Sequence, residues 1–128
     1  MKDLLLDTCA LIWIAVSPER FSKLALRKLE QSPTLYASAV SAWEIAFKWR
    51  TGKLVLPVPP EDFIGRVKGK YGIVMLSVEE ETMMKAASLP LIHRDPADRF
   101  IISTALLRSL DVVTGDRRFA QYGVNTLV

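Results

Sequence analysis

Short apolar runs recur along the chain, each followed within a few residues by a segment of helical period. This alternation limits the possible folds more than any other feature. Leu4, Leu5 and Leu6 form an uninterrupted apolar run that ends at Asp7, which predicts a strand buried on both faces. Residues 9–16 form an apolar helix stopped by Ser17 and Pro18. Phe21, Leu24, Ala25 and Leu29 then recur at helical spacing among Arg27, Lys28 and Glu30, predicting an amphipathic helix that breaks at Ser32-Pro33. Leu35, Tyr36 and Ala37 read as a second strand, and residues 41–50 as a third helix with Gly52 beyond its end.

Three prolines make a loop of residues 54–60, and Pro60, Glu61 and Asp62 open a helix to about Lys70, since proline and acids suit a first turn. Residues 73–76 predict a third strand and residues 79–88 another helix. Asp95-Pro96 starts a helix whose Phe100, Ile101, Ile102, Ala105, Leu106 and Leu107 are too apolar for a surface element. Residues 111–114 give a fourth strand, 116–122 a helical turn and 125–128 a fifth strand. Strands alternating with helices on short links predict an α/β/α sandwich, its mostly parallel central sheet flanked by helices. With 128 residues, half of them hydrophobic, and no repeat or linker, the expectation is one domain over 1–128.

Composition removes several functional classes. A single Cys and a single His exclude a disulfide framework and a Cys/His zinc site. No apolar run reaches the roughly 20 residues of a membrane span. The start at Met1-Lys2-Asp3 is unlike a secretory signal, so a cytoplasmic address is expected. The net charge of +3 neither demands nor excludes a nucleic-acid partner.

Asp7, Glu44, Asp95, Asp98 and Asp116 each lie just after a strand or in the first turn of a helix. In an open parallel sheet those places share one edge, where such folds bind ligands. Each acid also has a purely structural use. Asp7 can cap the helix that follows it, Ser41 and Glu44 form a capping box, Asp95 can cap the helix at Pro96, and Asp116 can sit in a turn. Caps need not be acidic, however, and gathered carboxylates repel unless a cation lies among them. An all-oxygen donor set suits Mg²⁺ or Mn²⁺, and such a site favours phosphodiester chemistry.

Four segments carry a resemblance: Leu4 to Thr8, Ser41 to Lys48, Leu89 to Arg99, and Val113 to Phe119. Their order and spacing resemble a PIN-domain ribonuclease, specifically the VapC-type toxin of prokaryotic toxin–antitoxin pairs, over essentially the whole chain. The resemblance implies an endoribonuclease that hydrolyses RNA with Mg²⁺ or Mn²⁺ held by Asp7, Glu44, Asp98 and Asp116. Thr8 and Thr114 are implied supports, and Asp95 matches the pattern with a capping role. A cognate antitoxin and a homodimer are the implied protein partners. Cys9 and Ala97 depart from the family pattern without touching the four acids, which bears on substrate fit.

His93 is expected to position the site rather than act as general base, because a metal-activated water needs no side-chain base. Cys9 has no second His to activate it and is expected to be a small helix residue. Arg99, Arg117 and Arg118 adjoin the acids and are the expected RNA contacts, Arg117 and Arg118 as phosphate grips. Trp13, Trp43 and Trp49 are expected in the core or an interface, with Trp49, between Lys48 and Arg50, the one that could stack on a base. Residues 11–16, 24–29 and 57–60 are the expected protein-contact surfaces. Two other readings remain: a PIN-like RNA-binding or regulatory module without catalysis, which the complete acid set disfavours, and a receiver-like phosphoacceptor. The latter requires paired acids after the first strand and a late Lys, whereas Thr8 follows Asp7 and no Lys follows Lys85.

Overall fold

The computed structural model describes residues 3–128. Met1 and Lys2, from which the resemblance and the expected domain are counted, lie outside the described residues. Five strands, β1 (Leu4–Leu6), β2 (Leu35–Ser38), β3 (Ile73–Leu76), β4 (Asp111–Val113) and β5 (Thr126–Leu127), form one sheet in the order β3-β2-β1-β4-β5. Every pairing is parallel. The helices are α1 (Thr8–Val16), α2 (Lys23–Gln31), α3 (Ala39–Arg50), α4 (Pro60–Tyr71), α5 (Glu80–Ser88) and α6 (Pro96–Arg108). The expected turn near 116–122 is a short 3₁₀ segment, Phe119–Tyr122. The α/β/α architecture is thus the one that the alternating pattern requires.

All three β1 leucines are buried because the strand lies mid-sheet, with helices on both faces. Leu4 and Leu6 join one core with Ala10, Leu11, Ala25, Ile45 and Phe63, while Leu5 joins the other with Ile101, Ile102, Val112 and Phe119. This is the two-residue alternation of a strand read across two layers. Ile101 and Ile102 are completely buried, which explains why α6 lacks a polar stripe.

The order of the sheet fixes the place for chemistry. The chain runs outward from β1 through β2 to β3, then returns to the other side of β1 as β4. Between β1 and β4 the winding therefore reverses, leaving a crevice at the carboxyl ends of those strands. Leu6 pairs in register with Val113, so Asp7 and Thr114 leave the sheet side by side.

One boundary differs from the sequence expectation. Ser38, not Ser41, caps α3, and its hydroxyl accepts the Val40 N–H at 3.2 Å. Ser41 is fully buried, and its hydroxyl is 2.8 Å from that of Thr8. The capping box with Glu44 is therefore not formed, and Glu44 is released for another role.

Candidate metal centre

Asp7 sits at the end of the central strand and caps α1. Its Oδ1 accepts the Ala10 N–H at 2.8 Å, and its Oδ2 accepts the Thr114 hydroxyl at 2.6 Å. The same Thr114 oxygen accepts the Asp116 N–H at 3.0 Å, so one threonine couples the two acids across the crevice. Gly115 lies between them with no room to spare, since a Cβ there would approach Trp13 Cη2 to 3.0 Å. Asp98 projects from the first turn of α6, whose N-cap is Asp95, with Oδ1 accepting the Ala97 N–H at 3.0 Å. Glu44 comes from the second turn of α3.

These segments close a cleft of about 290 Å³ lined by Asp7, Thr8, Cys9, Trp13, Glu44, Lys48, Asp95, Asp98, Gly115 and Asp116. The four acids named from the sequence therefore line one cleft together with Thr8 and Asp95, and Thr114 reaches it through its hydrogen bond to Asp7.

Crowded carboxylates in a partly desolvated cleft should resist ionisation. Asp98 shows this most, with a pKa pushed up to about 7 by burial and by the charges of Asp95, Glu44, Asp7 and Asp116. Burial also raises Asp7, against the lowering effect of Thr114 and the Ala10 amide. Asp116 goes the other way, to about 2, because Arg118 hydrogen-bonds to it. The Cys9 thiol is pushed up by burial and by Asp7, which keeps it protonated and fits its assignment as a plain helix residue.

Glu44 supplies the clearest sign of what the cleft is built to hold. Its Oε2 pairs with Lys48 Nζ at 2.9 Å, whereas its Oε1 is buried with no hydrogen-bond partner among the described residues. A buried carboxylate oxygen without a donor is costly, and a cation satisfies it. With Asp7 and Asp98 held above their normal range, the donor set fits a hard divalent ion.

His93 is buried and belongs to this centre. Its Nε2 lies 2.9 Å from Oδ2 of both Asp98 and Asp116. These three groups are also close enough to one another to bind an ion. The Asp95 N–H donates to His93 Nδ1 at 3.3 Å, however, which leaves the ring proton on Nε2 and no lone pair there for a metal. With this tautomer His93 is a donor that spaces and orients two carboxylates.

Arg99 requires a correction, because it is not available to RNA. The side chain is buried beneath the loop between α5 and α6. Its Nη1 donates to the carbonyls of Pro90 and His93, both at 2.9 Å, and its Nη2 to those of Ala86 and Leu89, both at 2.7 Å. Arg99 therefore satisfies the free carbonyls at the end of α5 and shapes the loop that carries His93. Arg117 is exposed beside Asp116, and Arg118 folds back onto it.

The tryptophans divide. Trp13 is half-buried, edge-on to Phe21 at 5.8 Å. Trp43 and Trp49 are exposed, which removes the core as their location. Trp43 stacks on Phe47, ring centres 5.2 Å apart, a pair that the reading centred on Trp49 missed although the i, i+4 spacing signals it. The expected contact surface on α1 and α2 is largely spent on the core, since Leu11, Ile14, Ala25 and Leu29 are buried and Val16 and Leu24 project.

A parallel sheet with a carboxylate cleft at its winding reversal defines a class of acidic α/β domains suited to divalent cations. The chain belongs to the PIN domain family, whose model matches residues 4–125. It is 28% identical to Ribonuclease VapC22 of Mycobacterium tuberculosis (strain ATCC 25618 / H37Rv), over 95% of this chain and 93% of that protein. Its fold is similar to VapBC2 from Rickettsia felis bound to a fragment of promoter DNA, with a TM-score of 0.72 and 12% identity over 97% and 96% of the two chains. It is also similar to DNA-bound VapBC from Salmonella typhimurium, with a TM-score of 0.67 and 21% identity over 98% and 97%. Among the described residues no helix is long and apolar enough to cross a membrane.

Proposed function

We propose that this chain, as one PIN domain over residues 1–128, is a Mg²⁺- or Mn²⁺-dependent endoribonuclease acting as the toxin of a toxin–antitoxin pair. The observation that carries the proposal is the convergence of Asp7, Glu44, Asp98 and Asp116 on one cleft, with a buried Glu44 oxygen that lacks a donor among the described residues. The family membership and the ribonuclease relative support the same reading. When bound, the ion supplies charge stabilisation for the phosphodiester and lowers the pKa of water.

The chain's own residues prepare that chemistry. Thr114 orients Asp7, His93 holds Asp98 and Asp116 at a fixed separation, and Thr8 braces α1 against α3 through Ser41. Lys48 stands at the cleft with its charged form favoured by Glu44, and it can meet a phosphate there. Arg117 extends the basic rim. RNA is the substrate, and the VapBC neighbours support a cognate antitoxin as partner. A homodimer in the cytoplasm completes the reading, with Trp43, Phe47, Met84 and Leu91 as exposed apolar surface for protein contacts.

The decisive experiment incubates the purified protein with total RNA in millimolar Mg²⁺ or Mn²⁺, and in EDTA. Cleavage is expected only with metal, and Asp7→Asn should abolish it. Tenfold excess of ion over its Kd should also stabilise the fold by about 1.4 kcal/mol, raising Tm by roughly 4 °C. No thermal shift at millimolar metal, together with intact RNA, would sink the assignment. RNA binding without cleavage would favour the non-catalytic module. The Arg117→Ala variant should bind RNA more weakly, with the log–log salt slope reduced by about one; an unchanged slope places Arg117 outside the contact.

A further inference from the structure

Asp116 already has as many donors as a carboxylate can accept. Its Oδ1 accepts the Arg118 N–H at 2.9 Å and Arg118 Nε at 3.0 Å. Its Oδ2 accepts Arg118 Nη2 at 2.8 Å and His93 Nε2 at 2.9 Å. A carboxylate offers about four lone-pair directions, so these four donors leave no direction for a cation. If Asp116 is to hold an ion with the other acids, a donor must leave first.

Two of the four donors are fixed. The Arg118 N–H belongs to the backbone. The His93 ring is buried, pinned at Nδ1 by the Asp95 amide and packed edge-on against Phe119 at 5.9 Å, so its Nε2 cannot withdraw. The remaining donors, Nε and Nη2, belong to one guanidinium whose side chain is half exposed and free to swing into solvent. Surface ion pairs are weak enough to be exchanged for a multidentate divalent site.

We propose that Arg118 is a displaceable counter-ion. Its guanidinium occupies Asp116 in the metal-free centre, is expelled when a divalent cation is taken up, and is thereby freed at the cleft mouth for a phosphate of the substrate. This rests on the metal-dependent reading of the four acids. It makes Arg118 a positioning residue, one that neutralises Asp116 until metal arrives and couples metal uptake to substrate capture.

The test is Mn²⁺ binding to the full chain, measured by calorimetry without RNA, so that no readout depends on catalysis. The Arg118→Ala variant should bind Mn²⁺ about three- to tenfold more tightly than the parent, because no ion pair has to be broken. Arg117→Ala removes the same charge one position away and should change the affinity by less than about twofold. In an Asp116→Asn background, Arg118→Ala should lose its effect, as a double-mutant cycle requires of a direct competitor. In parallel, the Arg118 Nε–H resonance should move to its solvent-exposed position on saturation with Mg²⁺.

Equal affinities for the parent and Arg118→Ala, or weaker binding by the variant, overturn the displacement while leaving the metal site standing. Equal gains from Arg117→Ala and Arg118→Ala reduce the effect to general electrostatics and also overturn it. Absence of Mn²⁺ binding in every variant removes the metal-dependent reading itself, and the displacement with it.

Discussion

Asp98→Asn is expected to reduce RNA cleavage by at least about 10³-fold while making the metal-free protein more stable at pH 8. The two effects have one origin. Burial and four neighbouring acids raise the Asp98 pKa from 3.8 to about 7. In the unfolded chain the group ionises near its ordinary value, so between about pH 4 and 7 the folded state holds the extra proton. Stability attributable to Asp98 therefore falls as pH rises through that window and levels off above it. Asp7, also raised, has the same sign. Asp116, lowered to about 2, has the opposite sign and matters only as pH falls below its ordinary value.

Because Asp98 is partly solvated, the expected penalty at pH 8 is on the order of 1–2 kcal/mol, or roughly 5 °C in Tm. Asparagine removes the charge and keeps an oxygen for His93 Nε2–H. Thermal scans from pH 5 to 8 in EDTA should show a declining Tm for the parent and a flatter profile for Asp98→Asn. Saturating Mg²⁺ should restore the parent at pH 8 and leave the variant unmoved. An Asp98→Asn protein that melts lower than the parent at pH 8, with cleavage retained, would mean that the carboxylate serves the helix terminus and not an ion.

The second large effect is structural and concerns the residue next in sequence. Arg99→Ala should lower stability by about 3–4 kcal/mol, or roughly 10 °C in Tm, because four carbonyls lose a charged donor at once. Arg99→Lys should recover little, since one ammonium cannot reproduce a planar fork that serves Ala86, Leu89, Pro90 and His93. Hydrogen exchange should quicken first over residues 89–95. Tyr122 cannot hold this loop alone, with one hydroxyl accepting the His93 N–H and donating to the Pro90 carbonyl, both at 2.7 Å. Cleavage should fall as well, through loss of the His93 position. Unchanged melting with weakened RNA binding would return Arg99 to the substrate surface.

Arg99 also shows where sequence reading stops. Successive side chains on a helix project about 100° apart. Asp98 can therefore face the cleft while Arg99, its neighbour, turns beneath α5. The same rotation separates buried Glu44 from exposed Trp43. Adjacency to an acid was a poor guide to shared function at Arg99.

The strands were legible because β1 is apolar at every position, which only a central strand tolerates. Asp7, Asp98 and Asp116 were legible because each lies just after a strand or opens a helix, places that a parallel sheet brings together, whereas Glu44 lies one turn further into α3 than the sequence suggested. The start of α3 was not legible, because Ser38 and Ser41 are both eligible caps. The choice is made by long-range pairing, in which Ser38 meets Leu76 on β3 and so ends the strand where the helix begins. The contact of His93 with both Asp98 and Asp116 had no local signal either, since it exists only when the loop at Pro90 folds over the end of β4.

Asp7 has a dual employment that reaches beyond enzymology. One of its oxygens starts a helix and the other answers Thr114 across the sheet. Asparagine caps a helix about as well as aspartate. A one-atom change at this position therefore disarms the chain without unfolding it. For a lineage carrying such a gene, loss of the activity and loss of the protein are separate events. A disarmed copy keeps the outer surface of the active one, so under the proposed toxin–antitoxin reading it is expected to compete with its active siblings for the same partner.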